Sequence, residues 1–233
     1  MNDFLFVSGW AGFPQLFPDL FTERPPGAPG RCRFVLPFVH RVGGSAADLS
    51  AAPTDEAAVL ATILTAPEPV LAAWSTGAHM VLRRAADILP RFERVVLFAP
   101  FLRFTDHVAP RVLRLMQRGF RNDPAKVVAD FHVACDAPPA VFDAASLLPA
   151  LAGDLARGLE YLGESVADFE PLDAPHVIIV HGAADAIVPP AASRKVAERL
   201  RGARLVETPG GHAPSGRDVL ENLAGEGRFA AEA

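Results

Sequence analysis

The sequence predicts an α/β fold, an open, doubly wound and mostly parallel sheet carrying a helical insertion. Three observations support this. Short apolar runs of strand length alternate along the chain with segments of helical spacing. Between residues 103 and 169 the β-branched runs stop and helical spacing takes over. Glycine-containing loops follow several of the apolar runs, and open parallel sheets bind ligands at such strand ends.

Phe4-Leu5-Phe6-Val7 is too short for a convincing helix and stops at Ser8-Gly9-Trp10-Ala11-Gly12, which reads as a buried strand followed by a turn. Arg33-Phe34-Val35-Leu36 is the second strand, reached through Arg24-Pro25-Pro26-Gly27-Ala28-Pro29-Gly30, a surface loop by its Pro and Gly density. Thr54 is placed to cap a helix over Ala57 to Thr65, with Asp55 and Glu56 in its first turn. Pro69-Val70-Leu71 begins a strand that leads through Ala72-Ala73-Trp74-Ser75-Thr76-Gly77-Ala78 into the helical spacing of His79 to Ala86. Arg94 to Ala99 is a buried strand. After the insertion come a strand at His176 to Val180, a helix from about Ala191 to Leu200, a strand at Arg204 to Glu207 and a last helix near Asp218 to Leu223. Strands alternating with helices imply right-handed βαβ crossovers, and hence a sheet covered on both faces. The expected division is a core of residues 1–102 and 170–233 with a helical cap at 103–169.

With 233 residues, half of them hydrophobic, the chain is long enough to bury one sizeable core. A formal charge of −5 excludes the global basic excess of a nucleic-acid binder. Neither a signal-peptide pattern at Met1-Asn2-Asp3 nor an apolar run long enough to span a membrane is found, so a cytoplasmic protein without membrane contact is expected, and a monomer. Cys32 and Cys135 lack metal-ligand spacing and read as buried, inert thiols. No metal or cofactor is expected.

The chemistry points to Ser75. Strand, abrupt turn and helix are the context of a nucleophile elbow, whose strained turn requires small residues on both sides of the serine; here they are Ala73 and Gly77. Asp185 lies in the loop His181 to Pro189 after one strand, and His212 in Thr208 to Pro214 after the next, so both fall on the same rim as Ser75. A serine hydroxyl attacks a carbonyl once an imidazole takes its proton, and a carboxylate fixes the imidazole tautomer. Ser75, Asp185 and His212 are therefore the candidate triad. Charge developing on the carbonyl oxygen needs backbone donors, by position the N–H of Thr76 and that of Trp10 in the loop after the first strand. The indole rings of Trp10 and Trp74 read equally as core or as acyl-pocket walls. Asp173 and Glu207 are rival acids placed away from His212; His40, His107, His132 and His176 read as surface or packing residues, and His79 and His181 as neighbours of the site.

With these residues in place, the chain resembles the α/β-hydrolase superfamily over nearly its whole length. Within that superfamily it is similar to the pimeloyl-[acyl-carrier protein] methyl ester esterases of biotin synthesis. The resemblance rests on Ser8-Gly9-Trp10 for H-G-W, Trp74-Ser75-Thr76-Gly77 for W-S-x-G, and Gly211-His212-Ala213-Pro214 for the histidine loop. Gly158-Leu159-Glu160-Tyr161-Leu162 leading to Asp168, and Asp185-Ala186-Ile187-Val188-Pro189, extend it. Ser8 stands where that family has histidine, and Ala11, Ala73 and Ala78 where it has glycine. The antiparallel strands that usually precede the oxyanion-loop strand are expected to be missing.

The resemblance implies a serine carboxylesterase acting on the methyl ester of a pimeloyl-carrier conjugate. Arg111, Arg114, Arg118 and Arg121 recur at helical spacing as a basic stripe, with Val112, Leu115, Met116 and Phe120 expected on the opposite face. In an acidic protein that stripe would seat an acyl carrier protein, while Phe131, Phe142, Leu147 and Leu151 would roof an acyl channel or pack the insertion onto the core. The alternatives are a small-acyl carboxylesterase or thioesterase without carrier contact, and a non-catalytic binding protein on the same fold.

Overall fold

The computed structural model describes residues 3–21, 30–39, 55–137 and 144–224. In chain order these residues form β1 (Phe4–Val7), β2 (Cys32–Val35), α1 (Glu56–Leu64), β3 (Val70–Trp74), α2 (Thr76–Arg83), α3 (Ala85–Ile88) and β4 (Arg94–Phe98). There follow α4 (Pro110–Asn122), α5 (Pro124–Ala134), α6 (Ala144–Glu164), β5 (Leu172–Asp173), β6 (Val177–Gly182), α7 (Ala191–Arg199), β7 (Leu200–Arg201), β8 (Arg204–Thr208) and α8 (Gly216–Ala224). Thr54, His40, Phe142, the side chain of Leu147 and all but the last residue of the Arg24 to Gly30 loop lie outside the described residues.

Six strands form one sheet in the order β2-β1-β3-β4-β6-β8, and every neighbouring pair is parallel. Burial on both faces explains why these strands read as continuous apolar runs. Side chains alternate strictly between two cores. Phe4, Phe6, Trp74, Val96, Phe98 and Val180 belong to one cluster; Leu5, Val7, Leu71, Val95, Leu97 and Ile179 belong to the other. The register aligns Val7 with Ala73, Ala73 with Leu97 and Leu97 with Ile179, so the ends of β1, β3, β4 and β6 open onto a common rim.

Several local details differ from expectation. The cap of α1 is Asp55, whose carboxylate accepts from the Ala58 N–H at 2.8 Å. The helix after the elbow breaks at Arg84, and α3 follows as a separate short helix. Cys135 is buried but Cys32 is only half-buried, because β2 is an edge strand. The two-residue pairing of β5 with β7 was too short to be read from the sequence.

Between β4 and β6 the chain makes the three helices α4, α5 and α6, and both ends of this excursion meet where the Ala167 N–H donates to the Leu102 carbonyl at 2.8 Å. Leu113, Phe120, Val128, Leu155, Leu159 and Leu162 from these helices join the same apolar cluster as Phe6 and Trp10, so the helices share a core with one face of the sheet. The phase of α4 corrects the expected apolar stripe. Leu113 and Phe120 face inward, whereas Val112 and Leu115 are 41% and 60% exposed. Among the described residues no helix is long and apolar enough to cross a membrane.

Candidate active site

Ser75 sits between β3 and α2 at φ 51° and ψ −113°, a conformation that few L-residues adopt. Its N–H donates to the Phe98 carbonyl at 2.9 Å, extending the β3–β4 ladder by one rung before the chain turns. Small neighbours make the turn possible. A Cβ on Gly77 would lie 2.5 Å from the Ser8 carbonyl oxygen and closer still to that of Val7, so the start of α2 presses directly on the end of β1. His212 is held by a loop that is itself pinned, since the Trp74 indole N–H donates to the His212 carbonyl at 2.8 Å. Gly182 has no room for a side chain because the Gly210 and Gly211 carbonyls pack over it.

The structure brings the candidate triad together. The Ser75 hydroxyl lies 2.8 Å from His212 Nε2, and His212 Nδ1 donates to Asp185 Oδ2 at 2.7 Å. A carboxylate facing Nδ1 fixes the proton there and leaves Nε2 as an acceptor for the serine O–H. Ser75 and His212 are 5% and 2% exposed, so the pair is screened from bulk water. Asp185 Oδ1 accepts from the Ile187 and Val188 amides, both at 2.8 Å. Burial alone would raise the Asp185 pKa, but donors from His181 and His212 outweigh it and hold the carboxyl well below the usual carboxylate range. The rival acids are elsewhere: Asp173 pairs with Arg201 and Glu207 with Arg194, on the surface.

Beside the elbow, the loop after β1 folds tightly. Ser8, in the place of the histidine of similar sequences, is buried and donates to the Gly12 carbonyl at 2.6 Å, while the Gly12 N–H donates to the Gly9 carbonyl at 3.1 Å. Trp10 is buried, its indole N–H donating to the Leu155 carbonyl of α6 at 2.8 Å, with Phe131 edge-on to its ring at 4.9 Å. Both tryptophan rings therefore act as ties, Trp10 joining the loop after β1 to α6 and Trp74 joining the end of β3 to the histidine loop. The Trp10 backbone N–H lies 3.3 Å from Thr76 Oγ1.

The profile of the alpha/beta hydrolase family matches residues 4–221. The chain belongs to the alpha/beta hydrolase family. A pimeloyl-[acyl-carrier protein] methyl ester esterase of Neisseria meningitidis serogroup B / serotype 15 (strain H44/76) is 30% identical over 226 residues, covering 86% of this chain and 81% of that protein. Among solved structures, an esterase from Exiguobacterium antarcticum superposes with a TM-score of 0.61 over 91% of this chain and 85% of its own, at 13% identity. A thermophilic esterase from Thermogutta terrifontis gives 0.59 over 97% and 87%, at 17% identity. These two likenesses show the shared fold.

In this hydrolase a second imidazole, unassigned in the sequence, reaches the triad carboxylate. His181 Nε2 lies 3.1 Å from Asp185 Oδ2 and 2.8 Å from the Val188 carbonyl, so it must carry the proton. Ser193 Oγ faces His181 Nδ1 at 2.5 Å. Asp185 thus receives two amides and two imidazoles, which leaves it no freedom to rotate away from His212. Only the nearness of His181 to the acid in sequence hinted at this.

The α4–α6 helices also touch the rim. His132 donates Nε2–H to the Ala11 carbonyl at 2.8 Å, and the Ala213 N–H donates to the Cys135 carbonyl at 2.9 Å, so the end of α5 holds both the loop after β1 and the histidine loop. His132 is therefore more than surface packing. Burial raises the Cys135 thiol pKa, reinforced by the Asp185 charge, which keeps it protonated and unreactive.

On the far side of the elbow helix, His79 is buried, with Nδ1 3.1 Å from the Phe101 carbonyl and Nε2 2.9 Å from Ser165 Oγ. The carbonyl requires the proton on Nδ1, so Nε2 accepts from Ser165. Desolvation holds the His79 pKa down to about 4, opposed by the Phe101 bond and assisted by the Arg83 charge. The unfolded chain therefore takes up a proton near pH 6.5 that the folded chain refuses until about 4. Stability from this site is complete above pH 6.5 and falls by about 3 kcal/mol as the pH drops to 4. Urea unfolding at pH 7 and pH 4.5 should show a smaller acid loss in His79→Gln than in the native chain; equal losses would refute it.

Arg111, Arg114, Arg118 and Arg121 are all exposed on the outer face of α4. Among the described residues none of the four has an ion-pair partner. Beside them lie the exposed Leu115 and Val112. Among the described residues no group of three or more His, Cys, Asp or Glu side chains could hold a metal ion.

Proposed function

We propose that this hydrolase is a serine carboxylesterase that removes the methyl ester from pimeloyl-[acyl-carrier protein] in biotin biosynthesis, in the cytoplasm and as a monomer. The observation that carries the esterase reading is the unbroken line from Ser75 through His212 to Asp185. His212 takes the Ser75 proton as the hydroxyl attacks the ester carbonyl, and the Trp10 and Thr76 amides receive the oxyanion. His212 then protonates the departing methoxide, methanol leaves, and water, deprotonated by the same imidazole, releases the acyl group from Ser75. No residue in these steps needs a metal. This alignment favours catalysis over a binding module that merely kept the fold.

The choice of substrate is supported by the named function of the Neisseria relative and by the arginine stripe. Carrier proteins are acidic, and four unpaired guanidinium groups in a protein of charge −5 form a local positive field that can steer such a partner. The exposed Leu115 and Val112 would give the docked partner apolar contact, and α4–α6 would act as the cap under which the acyl arm enters.

The test compares pimeloyl-carrier methyl ester with a free methyl ester, using the native chain and a variant with Arg114, Arg118 and Arg121 changed to Glu. The variant should lose about 10- to 1,000-fold in kcat/KM on the carrier substrate, with a flattened salt dependence, and keep its rate on the free ester. Equal rates on both substrates would leave a small-acyl esterase or thioesterase, and no cleavage of the carrier substrate by the native chain would remove it as the substrate.

A further inference from the structure

The elbow and the oxyanion loop meet at a side chain that the mechanism above leaves unused. Thr76 is fully buried, and its Oγ1 accepts from the Trp10 backbone N–H at 3.3 Å. Among the described residues no acceptor takes the hydroxyl's own hydrogen. Threonines inside helices turn that hydrogen onto the carbonyl one turn back, but Thr76 is the first residue of α2 and the turn before it is strand. A buried donor without an acceptor costs about 1–3 kcal/mol and calls for an explanation.

Its surroundings supply one. Gly9 sets the loop against the nucleophile, since a Cβ there would lie 3.1 Å from Ser75 Cβ. Trp10 follows directly. Trp10 and Thr76 therefore meet directly beside Ser75, one following Gly9 and the other following the serine itself. That is the side from which a bound ester must present its carbonyl oxygen.

We propose that the Thr76 hydroxyl is a third oxyanion donor, giving its own hydrogen to the oxygen that becomes negative as Ser75 attacks, while the Trp10 N–H, held only at 3.3 Å by Thr76 Oγ1, is shared between that hydroxyl oxygen and the oxyanion. The assignment rests on the serine-esterase reading. The bond from Trp10 polarises the hydroxyl, so the donor strengthens as charge develops, and no buried group has to reorganise at that moment. The rival role is a plug, in which Thr76 occupies the Trp10 amide until substrate displaces it. The two roles predict opposite signs.

The experiment compares Thr76→Val, which keeps the shape without the hydroxyl, with Thr76→Ser, which keeps the hydroxyl. Each is assayed on a p-nitrophenyl ester and against a trifluoromethyl ketone, which adds to the serine to form an oxyanion. Thr76→Val should lower kcat by about 100-fold with KM within about twofold, and Thr76→Ser should recover most of that loss. Ketone affinity should fall in parallel with kcat across the variants, a correlation that a packing role would not produce. If valine at this site disturbs folding, as judged by thermal melting, Thr76→Ala against Thr76→Ser carries the same expectation. Native or raised kcat in the variant without the hydroxyl, or unchanged ketone affinity, would overturn the proposal. Ser75→Ala in the same assay separates the two failures: an inactive Ser75→Ala beside a fully active Thr76→Val removes only the third donor, whereas an active Ser75→Ala removes the serine mechanism itself.

Discussion

A Ser75→Ala variant should lose on the order of 10⁴-fold or more in kcat and should not react with a fluorophosphonate probe, while melting close to the native temperature. The size of the loss follows from the chemistry: with the Oγ gone there is no acyl-enzyme, and water must attack without a positioned nucleophile. The small effect on stability follows from the structure. The Ser75 hydroxyl bonds to His212 Nε2, and His212 stays fixed by Asp185 and by the Trp74 tie to its carbonyl. Losing that one bond costs about 1 kcal/mol, and the strained backbone at φ 51° is no worse for alanine than for serine. Undiminished turnover by the variant would place the nucleophile elsewhere in the chain.

The second large effect is on folding. Gly77→Ala should destabilise the protein by about 3 kcal/mol or more and, in whatever folds, displace the oxyanion loop. The added methyl would collide with the Val7 and Ser8 carbonyls, which are backbone atoms, so no side chain can swing aside. Either the first turn of α2 backs away from β1 or the Ser8-Gly9-Trp10 turn lifts, and both movements separate the donors from Ser75. Chemical unfolding together with kcat would report this. A Gly77→Ala protein with native stability and native kcat would mean that the contact between elbow and loop is looser than described. At Gly153, where a Cβ would meet nothing within 4 Å, alanine should be accommodated without strain.

The sheet was legible because its strands are buried on both faces and carry apolar runs that no surface helix would tolerate, as at Phe4–Val7 and Arg94–Phe98. The elbow was legible because its geometry restricts residue types for several positions on each side of Ser75, and Asp185 and His212 were found because each follows a strand. What stayed hidden depends on tertiary contact. Beyond its nearness to the acid in sequence, nothing announces that His181 shares Asp185 with His212, since the sharing is created by the turn at Asp185 folding its carboxylate back over the strand end. His132 likewise meets the Ala11 carbonyl from a helix more than a hundred residues away. The phase of α4 was misread at Val112 and Leu115 because composition alone does not say which neighbours a helix will have; Leu113 and Phe120 are buried in the core and Met116 packs against it.

The excursion between β4 and β6 is drawn together at its base by the bond from the Ala167 N–H to the Leu102 carbonyl. For a chain whose two ends are already fixed side by side, the entropic cost of lengthening the stretch between them grows only logarithmically, about 0.6 kcal/mol for each doubling. Much of α4–α6 can therefore change in length and sequence at small entropic cost, provided that the contacts from His132, Cys135 and Leu155 to the loops beside Ser75 and His212 are kept. The excursion is thus both brace and variable part, and a laboratory exchange of residues 103–166 that retains these three contacts is the form of exchange expected to alter substrate preference without loss of the Ser75–His212–Asp185 geometry.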